Sequence, residues 1–158
     1  MFPTGYNNNV QILQAPGIVT ITHEMMHDTR IIPLDGRAHL SPAIRQYMGD
    51  SRAHWEGTTL VVDVTNFHPK DTTTIHPFSQ TRVAREGARL VERYTRTAAD
   101  VMRYEVTVDD PHTFERPWTA VLDLAPQKDM YEYACHEGNR GLENILRAAR
   151  LDDAAAAR

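Results

Sequence analysis

Along most of the chain, hydrophobic residues alternate with polar ones at the two-residue period of a β-strand. Leu60, Val62 and Val64 share one face of their run and Thr59, Val61, Asp63 and Thr65 the other. Met102, Tyr104, Val106 and Val108 mark an inner face in the same way. In Ala88 to Thr97, Leu90, Glu92 and Tyr94 lie opposite Arg89, Val91, Arg93 and Thr95. From Val10 to Ile32 the chain is rich in β-branched residues and is broken by the turn Pro16-Gly17. The second part, Ile18 to Ile32, is long for one strand, so a bend or bulge is predicted near Met26 to Thr29. Further strands are predicted at Arg52 to Trp55, Leu60 to Asn66, Val101 to Val108, Pro117 to Leu124 and Met130 to Cys135. Their connections are short, which suits antiparallel neighbours, because a parallel return needs a long crossover. The expected fold is mainly β: an antiparallel meander of about eight strands, closed into a lipocalin- or calycin-like barrel that removes its exposed edges.

Two segments break the period. Ser41 to Gly49 places a capping serine, a proline suited to the first helical position and a terminal glycine around a short predicted helix near 42–48. In the tail, Leu142, Ile145, Leu146 and Ala149 form one stripe at helical spacing, predicting a helix over 138–157 that packs on the barrel. The twenty or so residues of 67–87 make a long connection, a candidate lid over a mouth. Residues 1–158 read as one domain, with no internal repeat.

The 158 residues carry 17 basic and 21 acidic side chains, for a net charge of −4. That balance speaks against nucleic acid as a partner, since phosphate contacts need a basic surplus on one face. No apolar run reaches the ~20 residues of a membrane span, and no signal peptide opens the chain. The chain as given is therefore expected to be soluble and cytoplasmic, without a membrane partner. The single cysteine, Cys135, reads as buried filler.

Candidate chemistry comes from polar residues on strand faces. Glu92 shares the face of Leu90 and Tyr94 and is expected inside the barrel. In the stretch from Ile18 to Ile32, either face carries ionisable groups, and burying one unpaired is costly. Glu24 is expected to pair with Arg30 or with a histidine. His23-Glu24-Met25-Met26-His27 matches the zinc-protease spacing, but that chemistry needs both histidines on one helical face. On a strand they would stand about 13 Å apart. A metal site at His23 and His27 is thus a lesser alternative, and no metal or organic cofactor is expected.

Tyr6-Asn7-Asn8-Asn9, His23 through Arg37, Gly49-Asp50-Ser51, Trp55 through Val62, Thr65-Asn66-Phe67, Val91-Glu92-Arg93-Tyr94, Val108 through Pro111, Arg116 through Thr119 and Tyr131 through Asn139 together resemble an uncharacterised family of soil bacteria. The resemblance covers nearly the whole chain and implies no assigned activity. It implies that Glu24, His27 and Arg30 occupy positions of the family pattern, with His23 at a variable one. It also implies export if a longer precursor carries a leader.

Three functions are consistent with these residues. The first is a small-molecule enzyme of lyase, isomerase, cyclase or hydrolase type, with Glu24, His27, Arg30 and Glu92 as catalytic groups inside the pocket. Tyr94, Tyr104, Trp118 and His136 are its candidate substrate-binding residues. Such chemistry expects burial to raise a carboxylate's pKa and so create an acid. The second is a noncatalytic lipocalin-like binder of an apolar molecule, and the third a metal-dependent hydrolase using His23 and His27. Whether the chain forms a homodimer is left open.

Overall fold

A computed structural model describes residues 8–68, 74–76, 79–82, 87–131, 138 and 140–156. The strands are β1 (Val10–Ala15), β2 (Ile18–His23), β3 (Thr29–Pro33), β4 (Asp50–Glu56), β5 (Thr59–Thr65), β6 (Thr74–His76), β7 (Ser79–Arg82), β8 (Arg89–Ala98), β9 (Val101–Asp109) and β10 (Trp118–Leu124). One helix, α1, spans Gly141–Ala156. The fold is mainly β and every ladder is antiparallel. No helix among the described residues is long and apolar enough to cross a membrane.

The turn chemistry acts where it is expected. Gly17, at φ +76°, closes the β1–β2 hairpin, and Gly57, at φ +60°, closes the β4–β5 hairpin. The predicted bend is a single 3-10 turn, Met25–His27, ending with His27 in the left-handed region at φ +55°. It divides the long run into β2 and β3, whose register sets Ile21 opposite Arg30.

The strands form a three-stranded sheet, β1-β2-β3, a five-stranded sheet, β4-β5-β8-β9-β10, and the separate hairpin β6-β7. β3 and β4 lie side by side, so the eight long strands follow one another in space as a meander. Among the described residues no ladder joins β3 to β4 or β1 to β10. The expected closed barrel is thus realised as two antiparallel sheets. A polar side-chain bridge occupies the β3–β4 seam, and a cavity lies between β1 and β10.

Inward residues of both sheets share one core. Val19, Ile21 and Ile32 meet Leu60, Val62, Val64, Leu90, Val106 and Val108, with Phe67 sealing the end near Gly49. The strand faces read from the alternation are the observed ones for β5, β8 and β9.

Two helical expectations are corrected. Residues 42–48 form turns instead of a helix. The backbone of Gln46 is engaged elsewhere: its N–H donates to the Asn66 carbonyl at 3.0 Å and its carbonyl accepts from His68 N–H at 2.9 Å. That parallel bridge to the 66–68 segment uses the groups a helix would need. The second correction concerns α1, which forms but does not pack on the sheets: its described residues are exposed throughout. The outward face of the five-stranded sheet carries ion pairs between Arg89 and Asp63, Arg93 and Glu56, and Arg103 and Asp123. The candidate lid at 67–87 is described only at Phe67, His68, the β6–β7 hairpin backbone and Gly87, and most of the predicted strand Met130 to Cys135 lies outside the described residues.

Gly49 is the backbone position with the least freedom. It sits at φ +69°, and a Cβ there would come within 2.7 Å of Val64 and 2.8 Å of both Phe67 and the Thr65 carbonyl. Gly57 also has positive φ but has nothing within 4 Å. Gly49→Ala should therefore cost about 2–4 kcal/mol, from left-handed strain plus overpacking, and Gly57→Ala about 1 kcal/mol. Urea denaturation of both variants checks the difference, and equal losses would show that the contact with Phe67 is not what constrains this loop.

Candidate functional site

The register of β8 and β9 places Tyr94 directly opposite Tyr104 and puts Glu92 beside Val106 and Val62. All three polar residues point inward because they continue the alternation of Leu90 and Val108. Arg30 reaches the same place from β3 and Ser51 from β4, where it faces Val64. The result is a fully dehydrated cluster: Glu92 is 0% exposed, Tyr104 2%, Arg30 3%, Ser51 5% and Tyr94 7%.

Its hydrogen bonds are nearly complete. Arg30 donates from Nη1 to Glu92 Oε1 at 3.1 Å and from Nη2 to Oε2 at 2.5 Å. Its Nε and Nη2 also donate to Ser51 Oγ at 3.3 and 3.2 Å. Tyr104 donates its hydroxyl to Glu92 Oε1 at 2.8 Å, and Tyr94 does so at 3.3 Å. The two tyrosine rings stack at a tilt, with centroids 4.8 Å apart.

This geometry decides the charge state. Burial is the largest influence on the Glu92 carboxyl and pushes it up, but the nearby positive charges, Arg30 foremost, and the hydrogen bonds to the charged form together outweigh it and hold the carboxyl below the usual carboxylate range. Burial likewise opposes the charge on Arg30, and Glu92 more than restores it. Burial, reinforced by the Glu92 charge, raises both tyrosine hydroxyls above their ordinary value. The cluster is an ion pair capped by neutral phenols. The raised carboxylate that acid–base chemistry requires is not produced here, because the positive charges and hydrogen bonds around Glu92 together outweigh its burial.

The other candidate residues lie elsewhere. Glu24 is buried, but it accepts from Asn9 Nδ2 at 2.8 Å and from the Tyr131 backbone N–H at 2.9 Å, so it ties β1 and a late segment to the end of β2. Its expected pairing with Arg30 is not made in the structure. His27 is exposed at the end of the 3-10 turn. Trp118 is half-buried on β10, edge-on to Phe114 with ring centroids 5.6 Å apart. His136 lies outside the described residues. His23 ends a strand and His27 is the last residue of a single 3-10 turn, so the two lack the single helical face that the zinc motif requires. Among the described residues no three His, Cys, Asp or Glu side chains converge as a metal site.

The sequence offers neither Ser51 nor Asn9 as a site residue, and His23 only as a metal ligand. Ser51 shares the inward face of Ala53, a signal present in the alternation. Asn9 precedes the first strand and carries no such signal. His23 lies on the face of Val19 and Ile21, and its Nε2 is buried without a hydrogen-bond partner. Burial, with the Arg30 charge adding to it, lowers its pKa from 6.5 to about 3.

A cavity of about 730 Å³ lies between the two outermost strands. Val10 and Ile12 line it from β1, Met102 from β9, and Leu122 and Leu124 from β10, with residues 125–130 along one side. A smaller space of about 170 Å³ opens at the β3–β4 seam beside Arg30, Ser51 and Asp50. No family model matches the chain, and neither curated proteins nor solved structures give a significant match.

The buried pair should be indispensable to stability. Glu92→Gln or Arg30→Met should each cost about 3–5 kcal/mol, because each strands an uncompensated polar partner, whereas Arg30→Met with Glu92→Leu should cost less than the sum. A single-variant loss under about 1 kcal/mol by urea denaturation would sink this view.

The pH dependence follows from two depressed pKa values. Each group takes up its proton more readily when unfolded, so stability is full above the unfolded value and falls as the pH drops. Loss through His23 should begin below about pH 6.5, and loss through Glu92 below about 4.5. Thermal midpoints of His23→Leu should be flat between those two values where the parent chain declines; a decline of equal slope in both would remove His23 as the cause.

Proposed function

We propose that the protein binds a small molecule in the cavity between β1 and β10, and that its eight long strands make an open form of a lipocalin-like barrel. The observation that carries this reading is a change in burial around the meander. Inward residues on β5, β8 and most of β9 are fully buried, whereas those of β1 and β10 stay half-buried around the open space. At about 730 Å³ that space falls within the range typical of ligand sites, about 300–1,000 Å³. Its half-buried lining is apolar apart from Asn9, while the exposed Arg96, Asp100, Asp123, Lys128 and Asp129 stand on its flank. A ligand with an apolar body and a polar end suits that distribution. The ion-paired Glu92, with both oxygens occupied, supplies neither a free base nor an acid, which favours binding over acid–base turnover.

The acid–base enzyme is the second reading, and one observation favours it. His23, neutral and with an unpartnered buried Nε2, is an acceptor on the inner face within electrostatic reach of Arg30 and Glu92. In that reading His23 takes the base role first expected of Glu24, His27 or Glu92. The resemblance to the soil-bacterial family is compatible with both.

Titration with the neutral fluorophore N-phenylnaphthylamine tests the binding proposal. Its emission should rise and saturate at one site, and Leu122→Trp or Met102→Trp, which fill the cavity, should weaken binding at least about tenfold with the fold retained by circular dichroism. Absence of binding, or equal affinity in both variants, would exclude this cavity as the site.

A further inference from the structure

The C-terminal helix exposes what a packed helix would cover. Leu142, Ile145 and Leu146 are 72%, 67% and 46% exposed, and with Ala149 they make one continuous stripe along α1. A solitary helix of 16 residues is only marginally stable in water, so a partner for this stripe would contribute to the helix itself. Among the described residues no strand packs against it.

The charges beside the stripe identify a partner. Glu143 and Arg150 are seven residues apart, nearly two turns, and therefore lie on the same flank of the stripe. Neither has an ion-pair or hydrogen-bond partner among the described residues. When two copies of such a helix run antiparallel, like flanks face each other and one sequence is read against the reverse of the other. Centred between Leu146 and Arg147, that arrangement sets Glu143 of each copy opposite Arg150 of the other and lays stripe on stripe. A parallel pair would instead set Glu143 level with Glu143 and Arg150 level with Arg150.

We propose that α1 is a homodimerisation element, pairing antiparallel with α1 of a second copy through Leu142, Ile145, Leu146 and Ala149, with two Glu143–Arg150 ion pairs closing the flank. One helix pair buries less than the roughly 1,200 Å² of a standard interface, so the dimer is weak, in the micromolar range or above. This interface is independent of the cavity and of what it binds.

Sedimentation equilibrium of the full chain, from about 1 μM to about 1 mM, tests the proposal. The parent chain should shift from monomer to dimer over that range, and Leu146→Glu should abolish the shift while leaving the strand signal in circular dichroism unchanged. Glu143→Arg and Arg150→Glu should each weaken association about tenfold, since each turns two attractions into repulsions. The double variant should restore it, and a mixture of the two single variants should form heterodimers. A parent chain that stays monomeric throughout, or a double variant as weak as the singles, overturns the proposal. So does a monomeric parent in which Leu146→Glu lowers the denaturation midpoint, because the stripe would then be packing on its own sheet.

Discussion

The ion pair between Arg30 and Glu92 is the interaction on which the rest of the structure depends. The two main sheets share no ladder among the described residues, and the pair joins them: Arg30 belongs to β3, Glu92 to β8, and Ser51, which receives two more Arg30 N–H groups, to β4. Backbone hydrogen bonds normally fix one strand against the next; at this seam a guanidinium does so. Taking both charges out of water costs several kcal/mol per ion, and mutual attraction offsets that only when the geometry is good and the remaining lone pairs are satisfied. Here the two tyrosine hydroxyls complete the carboxylate's shell. The same completeness that makes the pair affordable structurally works against proton transfer, because a carboxylate held ionised by Arg30 has no proton to give and both of its oxygens already accept hydrogen bonds.

The other buried acids serve a similar purpose at the periphery. Asp50 accepts from the Leu40 N–H at 2.9 Å and engages His39 Nδ1 at 2.8 Å and Arg52 at 2.7 Å, holding the irregular 38–49 segment against β4. Asp110 accepts from the His112 N–H and the Thr113 hydroxyl, turning the chain after β9. Glu24 fastens Asn9 and Tyr131 to the end of β2. Each acid lies where regular pairing stops and backbone donors would otherwise be unsatisfied. Acidic residues inside this fold therefore mark the ends and seams of its sheets, consistent with the cost of leaving buried backbone groups unpaired.

Much of this could be read from residue types. Alternation identified the inward faces of β5, β8 and β9, and so placed Glu92, Tyr94 and Tyr104 inside together. The β-branched residues before His23 disfavour a helix there, and the length of the run calls for the break that the 3-10 turn supplies. Alternation says which face a residue occupies but not what stands across the core from it. Glu24 and Arg30 share a face six residues apart and made a natural local pair, yet the turn between them sends Arg30 to Glu92, 62 positions away. The helix at 42–48 had every local signal, and lost because Gln46 pairs with a segment twenty residues later. Gly49 kept its terminating role, with positive φ, although the helix it was expected to end did not form.

The gradient along β9 explains why a ligand and the ion pair can coexist in one small interior. Val108 and Val106 are 0% exposed, Tyr104 is 2% exposed, and Met102, the next inward residue, is half-buried at the cavity. Glu92 sits opposite Val106, on the dry side of the tyrosines, and Leu122 sits opposite Tyr104. The tyrosines thus stand between a charge that must be kept from water and a space open to it. Water reaching Glu92 would raise the effective dielectric and weaken its attraction to Arg30. In the proposed function, a molecule filling the cavity would meet Met102, Leu122 and Leu124 with its apolar body, and Arg96, Asp100, Lys128 and Asp129 stand around the same space for a polar end. The two tyrosine rings thus separate the space proposed for a ligand from the β3–β8 bridge.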